Sequence, residues 1–163
     1  MADALHRLGT PFGTERARQF AVAAASLLAE GCFRVNVDLA QERGQLMGRE
    51  SLDQRPAFPR NGVMPGSVVL EAMRNGVRHS RITALAHHPE LARFANDVTD
   101  AIEPLAIDVQ RGCDALGNDI HVARARLGIA IQPYFDAQIN DAVLGLGSAT
   151  PLQASERNGC APR

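Results

Sequence analysis

A proline and a glycine near the middle of the chain set the firmest constraint on its fold. Pro65 has a fixed φ that suits the first turn of a helix, and Gly66 lets another group approach the backbone closely. The pattern after this pair predicts one long helix from about Ser67 to His87, which ends before Pro89 because proline cannot continue a helix. We therefore expect one long helix that starts at a tight turn.

The spacing of apolar residues changes along the part of the chain before this pair. Apolar side chains at three- and four-residue spacing predict a helix that begins at Glu15, after a Thr14 cap, and stops at Gly31. Apolar and polar side chains then alternate from Phe33 to Leu39, which is typical of a half-buried strand. Residues 40–62 are rich in glycine and proline, so we expect a loop there.

The last third of the chain is compatible with two kinds of structure. Alternation over 105–110 and the β-branched residues of 120–131 favour two antiparallel strands joined by a loop. The alanine and arginine residues in the same stretches also suit helices over 99–116 and 119–131. We prefer the strands, and the helical interpretation stays open.

Length and composition indicate one globular domain. A chain of 163 residues, 45% of them hydrophobic, can bury a core without a metal or a disulfide. We expect the domain to cover 14–144, between a flexible arm at 1–13 and a flexible tail at 145–163.

Charge, apolar run length and cysteine spacing exclude several functions. The net charge is −1 and the arginines are scattered among acidic residues, which argues against nucleic acid as a partner. The longest apolar run, Phe20 to Ala29, is ten residues long and is too short to cross a membrane. Three cysteines without metal-ligand spacing indicate reduced thiols in the cytoplasm and no metal site.

Residues 57–73 carry the most specific pattern in the sequence. Nine residues stand at the spacing of a known active-site motif: Phe58, Pro59, Val63, Met64, Pro65, Gly66, Glu71, Ala72 and Met73. The segment resembles the active-site segment of the hot-dog-fold 3-hydroxyacyl-acyl-carrier-protein dehydratases of fatty acid synthesis. The resemblance implies an α+β hot-dog fold, in which a curved antiparallel sheet surrounds one long central helix. It also implies a homodimer without metal or organic cofactor that acts on an acyl thioester of acyl carrier protein or coenzyme A.

Glu71 is the residue that the resemblance identifies as catalytic. It lies about one and a half turns into the predicted helix among apolar neighbours, where loss of solvent would raise its pKa and suit proton transfer. Free amides at the helix start would hold the thioester carbonyl oxygen. The alternative is an exposed Glu71 that pairs with Arg74 or Arg78. The resemblance assigns the substrate site to Phe58, Met64, Pro65, Gly66 and Ser67.

Two features depart from the family pattern. The catalytic histidine of the family stands immediately before Phe-Pro, where this chain has Ala57, whose methyl group cannot move a proton. Either dehydratase activity is lost or another group reaches the same place. Glu71, Arg74, Arg78 and Arg81 also form one polar stripe on the predicted helix. The stripe is either a solvated face or a surface that meets an acidic partner such as a carrier protein.

Three functions are consistent with these observations. The first is an acyl-thioester enzyme, either a dehydratase with a substitute base or a thioesterase, in which Glu71 supplies the base. The second is a non-catalytic relative that binds acyl chains or an acyl carrier protein. The third is a mainly α-helical interaction or regulatory protein in which the motif is fortuitous, supported by the amphipathic patterns of 15–30 and 67–87. A structure dominated by helix would favour the third.

Overall fold

The computed structural model of the chain describes residues 1–45, 63–86, 88–100, 102, 104–137 and 139. Helices account for 61% of these residues, and none of them belongs to a β-strand. The helices, in chain order, are α1 (Ala2–Arg7), α2 (Glu15–Arg43), α3 (Gly66–Asn75), α4 (Pro89–Phe94), α5 (Ala106–Arg111) and α6 (Ile120–Ile131), and a 3-10 turn follows at Gln132–Tyr134.

The α+β hot-dog prediction is wrong. The described residues contain helices where strands were expected, so no curved antiparallel sheet surrounds a central helix there. The alternative prediction of a mainly α fold is the one that fits. The stretches 105–110 and 120–131 lie in α5 and α6, which is the helical interpretation that the sequence left open.

The strand predicted from Phe33 to Leu39 is part of α2. The Thr14 hydroxyl accepts a hydrogen bond from the Ala17 N–H at 3.2 Å, so the predicted cap is confirmed, but the helix continues through Gly31 to Arg43. Apolar residues on both faces of this helix produced the period of two. Phe33 and Val37 are buried, whereas Val35 points to solvent.

The helix predicted from Ser67 to His87 ends much earlier. It stops at Asn75, where Gly76 follows with a φ of 71° and its N–H donates to the Ala72 carbonyl. A positive φ is easy for glycine and ends a helix because the next residues leave the helical path. Residues 77–86 are irregular, and His87 lies outside the described residues.

The chain divides into two compact units. Unit 1 contains the described residues of 1–21 and 85–130 together with Ile139, and unit 2 contains those of 22–84 and 131–137. The predicted tail at 145–163 lies outside the described residues, as do residues 46–62 of the predicted loop.

The core of unit 2 forms between α2 and α3. Phe33 and Val37 of α2 are buried with Val68 and Ala72 of α3, and the pairs are four residues apart because that spacing returns to the same face of a helix. Val77 completes the cluster, and Met64 and Ile82 pack against it. Each large apolar side chain buried here contributes about 1.5–3 kcal/mol to stability.

Polar side chains fix the irregular segment after α3. The Asn36 amide accepts a hydrogen bond from the His79 N–H at 2.7 Å and donates one to the His79 carbonyl at 3.0 Å. The Asp136 carboxylate accepts from the Ile82 N–H at 2.8 Å, and the Asp136 N–H donates to the Thr83 hydroxyl at 3.0 Å. These bonds place residues 79–83 beside α2 in unit 2.

Unit 1 contains a buried carboxylate in the turn before α6. Asp114 accepts hydrogen bonds from the N–H groups of Gly13 at 2.8 Å and of Leu116 and Asn118 at 2.9 Å each. The Asn118 side chain also donates to it. The carboxylate thereby joins the segment before α2 to the turn of residues 113–119.

Candidate functional site

Glu71 lies at the surface of unit 2. It is the sixth residue of α3, its side chain is 51% exposed, and one carboxylate oxygen is 3.8 Å from an Arg34 guanidinium nitrogen. The ion pair corresponds to the surface alternative considered for Glu71, except that the partner belongs to α2 rather than to α3. Nothing in the described residues encloses this carboxylate in an apolar tunnel.

The other residues assigned to a substrate site do not form a pocket around Glu71 in the described part of the chain. Met64 packs against the core of unit 2, whereas Pro65, Gly66 and Ser67 are exposed at the start of α3. Phe58, and Ala57 before it, lie outside the described residues.

The predicted arginine stripe does not lie on a single helix. Arg74 is exposed in the last turn of α3, and the helix ends before Arg78 and Arg81. Arg78 donates a hydrogen bond to the Gly44 carbonyl at 3.2 Å, just beyond the C-terminal end of α2. Arg81 is exposed in the irregular segment.

An apolar groove runs along the second half of α2, within unit 2. Its volume is about 510 Å³, and it is open to solvent. One wall is α2, and the other is the segment that Asn36 and Asp136 hold in place. The lining residues are Leu27, Leu28, Gly31, Cys32, Val35, Asn36, Leu39, His79 and Ile82.

The groove is bordered by the most exposed apolar side chains of α2. Leu27 is 71% exposed, Val35 56% and Leu28 53%. They lie on the side of α2 away from Phe33 and Val37, because each residue advances about 100° around a helix. The second half of α2 is therefore apolar on its outer face as well as on its inner face.

Gly31 widens the groove in the middle. A Cβ atom at this position would meet no atom within 4 Å, so the outer face of α2 is open at its centre. Two large side chains, Leu27 and Val35, stand one turn before and after it. This arrangement gives the groove a raised edge with a central depression.

The polar groups of the groove are not arranged for catalysis. Both ends of the Asn36 amide are occupied by the His79 backbone. Cys32 is a free thiol, yet among the described residues no hydrogen bond joins it to the His79 ring, although nucleophilic catalysis needs such a pair. The described residues also hold no cluster of three His, Cys, Asp or Glu side chains that could bind a metal.

A strand at 33–39 leaves no place for this groove, so the sequence did not predict it. The available signal was the narrow polar stripe of α2, in which Glu30, Arg34 and Asp38 recur every four residues. A stripe this narrow leaves apolar residues on more than one side of the helix.

The same property makes α2 long and apolar enough to cross a membrane, judged by length and composition alone. The ten-residue run counted in the sequence ended at Glu30, whereas the helix continues beyond it. One third of its most apolar 18-residue stretch is buried in the protein, and helices in protein cores and N-terminal signal sequences have the same length and composition.

Comparison with known proteins finds no matching family model, no matching curated protein and no matching solved structure. The resemblance of residues 57–73 to a dehydratase segment therefore stays a prediction without independent support.

Proposed function

We propose that this chain is a mainly helical interaction protein that binds an amphipathic helix of a partner protein in the groove along α2. The observation that carries the proposal is the outer face of α2, where Leu27, Leu28 and Val35 are more than half exposed beside an apolar groove. Exposed apolar surface of this kind marks interaction sites, because it lowers solubility without adding to the stability of the free protein.

The dimensions of the groove suit a helix. The thirteen residues from Leu27 to Leu39 span about 18 Å along α2, which is the length of about three turns. A partner helix of that length places three or four apolar side chains on one face, at the spacing i, i+3 or i+4, and i+7. Gly31 lets the backbone of that helix come close to α2 at the centre of the contact.

Two other occupants fit the groove less well. A small ligand is normally enclosed by its pocket, whereas this groove is open. A membrane-spanning α2 would bury the Glu30–Arg34 ion pair, which has a nitrogen–oxygen distance of 2.8 Å, and would separate Asn36 from His79. Charged and hydrogen-bonding groups are expensive in a bilayer, so these contacts favour a protein partner.

The proposal can be tested with a fluorescein-labelled synthetic peptide of about 16 residues, with leucines along one helical face and neutral polar residues elsewhere. We expect saturable binding to the full chain by fluorescence anisotropy. Leu28→Glu and Val35→Glu should each weaken binding at least about tenfold, because each places a charge in the apolar contact.

Phe94→Glu provides the matched control. Phe94 is 91% exposed in α4 of unit 1, so the change adds the same charge at an exposed apolar position outside the groove. Its affinity for the peptide should equal that of the wild type, and circular dichroism should show that all three variants keep their helix content. The proposal is contradicted if no binding occurs or if all three variants bind equally. If the wild type sediments with neutral phosphatidylcholine vesicles and Leu28→Glu does not, the surface binds a membrane instead of a partner helix.

A further inference from the structure

Gly31 is a glycine for which the described part of the fold shows no structural need. Glycine suits a positive φ, a helix end or a close contact within the protein. The φ of Gly31 is not positive, the residue lies in the interior of α2, and an added Cβ atom would meet no atom of the described residues within 4 Å. Two other glycines differ in this respect, since a Cβ atom on Gly13 would crowd Asp114 and Gly76 ends α3 at a positive φ.

A glycine at this position also makes α2 less stable. Glycine is less favourable than alanine in a helix interior, because it loses more conformational freedom when the chain folds. An alanine would fit at residue 31 without any close contact. The missing side chain therefore lowers the stability of the helix and leaves an open space on its outer face, where a group from another molecule can approach.

Gly31 belongs to a set of four residues that can receive one side chain. Leu28, Gly31, Cys32 and Val35 stand at positions i, i+3, i+4 and i+7 of α2, and all four line the groove. Helix residues at this spacing form the hole into which a facing helix inserts one side chain. We refer to these four residues as the Gly31 hole. Its two ends are large side chains, whereas the two residues across its middle are small, so it is deeper than a hole formed by four large residues.

We infer that the partner helix inserts one bulky apolar side chain, of the size of leucine or larger, into the Gly31 hole. The inference rests on the proposed function, since it names the residue that the partner helix presents at the centre of the same groove. The deeper this side chain enters, the closer the partner backbone comes to α2 and the more apolar surface both helices bury. Gly31 is then a specificity-determining residue, because any side chain at this position would occupy the same space.

The test compares two versions of the synthetic peptide that differ only at the central residue of the apolar face. This residue is leucine in one version and alanine in the other. We expect the full chain to bind the leucine peptide about tenfold more tightly in fluorescence anisotropy, because the larger side chain buries more apolar surface.

Gly31→Leu identifies the hole as the cause of this preference. The variant fills the hole, so it should bind the leucine peptide at least about tenfold more weakly than the wild type does, while its affinity for the alanine peptide changes by less than about twofold. Ala23→Leu is the matched control. It adds the same side chain at an exposed position of α2 that does not line the groove, and it should keep the wild-type preference.

Gly31→Ala separates binding from stability. The added methyl group should raise the melting temperature, because alanine favours helix, and should weaken binding of the leucine peptide about threefold. Circular dichroism should show the same helix content in the wild type and in the three variants. If Gly31→Ala binds the leucine peptide as tightly as the wild type does, the inference is overturned.

The remaining outcomes separate this inference from the proposed function. If both peptides bind with equal affinity in a Leu28-dependent way, or if Gly31→Leu keeps the preference for leucine, the bulky central residue is ruled out and the binding groove stands. If neither peptide binds, both proposals fail. If analytical ultracentrifugation shows a dimer of the wild type and a monomer of Gly31→Leu, the groove holds a second copy of this chain and the inference of a separate partner is overturned.

Discussion

The two compact units hold their irregular segments with different chemistry. In unit 2, the neutral amide of Asn36 both donates to and accepts from the backbone of His79. In unit 1, the carboxylate of Asp114 can only accept hydrogen bonds, and its donors include the N–H groups of Gly13, Leu116 and Asn118. Asn36 is 1% exposed and Asp114 is 5% exposed.

This difference determines how each of these two side chains responds to pH. Burial by itself raises the pKa of Asp114, but hydrogen bonds from the Asn118 side chain, the Asn118 N–H and the N–H groups of Gly13 and Leu116 together lower it below its ordinary value of 3.8. The pKa of Asp3, also in unit 1, is lowered chiefly by the hydrogen bond from the Thr99 hydroxyl. An amide such as Asn36 has no proton to gain in this range, so its bonds do not depend on pH.

The largest expected effect is that of Asn36→Ala. The change leaves the N–H and carbonyl of His79, whose bonds to Asn36 are partly buried, without their partners, and it should lower the free energy of unfolding by about 2–3 kcal/mol. Urea denaturation measures the loss of stability. The His79 amide should exchange its hydrogen with solvent faster in the variant, whereas the exchange rate of the Gly13 amide should stay the same. Gln41→Ala, on an exposed position of α2, is the control and should change stability by less than about 0.5 kcal/mol. A neutral result for Asn36→Ala would mean that Asn36 does not anchor the segment.

Gly13→Ala should have an intermediate effect. A Cβ atom at this position would lie 2.6 Å from an Asp114 carboxylate oxygen and 2.7 Å from the Asn118 Cβ, so the turn must shift. Crowding of this kind costs about 1–3 kcal/mol and should accelerate exchange of the Leu116 and Asn118 amides.

Gly31→Ala is the matched control for this substitution. The added Cβ atom meets nothing within 4 Å and replaces a mid-helix glycine, so it should stabilise the protein by about 0.5–1 kcal/mol. If Gly13→Ala and Gly31→Ala changed the free energy of unfolding in the same direction, the close packing of Gly13 against Asp114 would be disproved.

The smallest effect is expected from acid. A carboxylate with a lowered pKa in the folded state adds stability above its unfolded pKa of about 3.8, and this contribution is lost as pH falls through the lower folded value. Melting temperatures measured from neutral pH to about pH 2.5 should therefore decline below about pH 4.

Asp114→Asn sharpens this prediction. The variant should be less stable at neutral pH and should show a shallower decline in acid, because it lacks one of the two described carboxylates whose pKa is lowered. The hydrogen-exchange rate of the His79 amide, divided by its intrinsic rate, should not change in acid until global unfolding begins. Equal acid sensitivity of wild type and variant would show that Asp114 does not contribute to the pH response.

The start of α2 could be predicted from the sequence, whereas its end could not. Thr14 and the apolar spacing after it are local signals, and the structure confirms both. Gly31 indicated a stop, but one glycine costs a helix only about 1 kcal/mol, and burial of Phe33 and Val37 on α3 outweighs that cost. Tertiary contacts therefore stabilise the helix beyond Gly31, although a glycine by itself disfavours helix.

The candidate site was less predictable than the helices. Glu71 was selected from a short motif, and its exposure depends on what covers α3, which local sequence does not specify. The groove depends on Asn36, which lies 43 residues from its partner His79. No spacing rule relates residues so far apart, so the second wall of the groove could not be located beforehand.

The sequence alone determined where α2 and α3 begin, because caps, prolines and apolar spacing act over one or two turns. Tertiary structure alone decided how far these helices continue and which of their faces are covered. Burial of one face of α2 by α3 depends on contacts between distant segments, and the face left over becomes the groove.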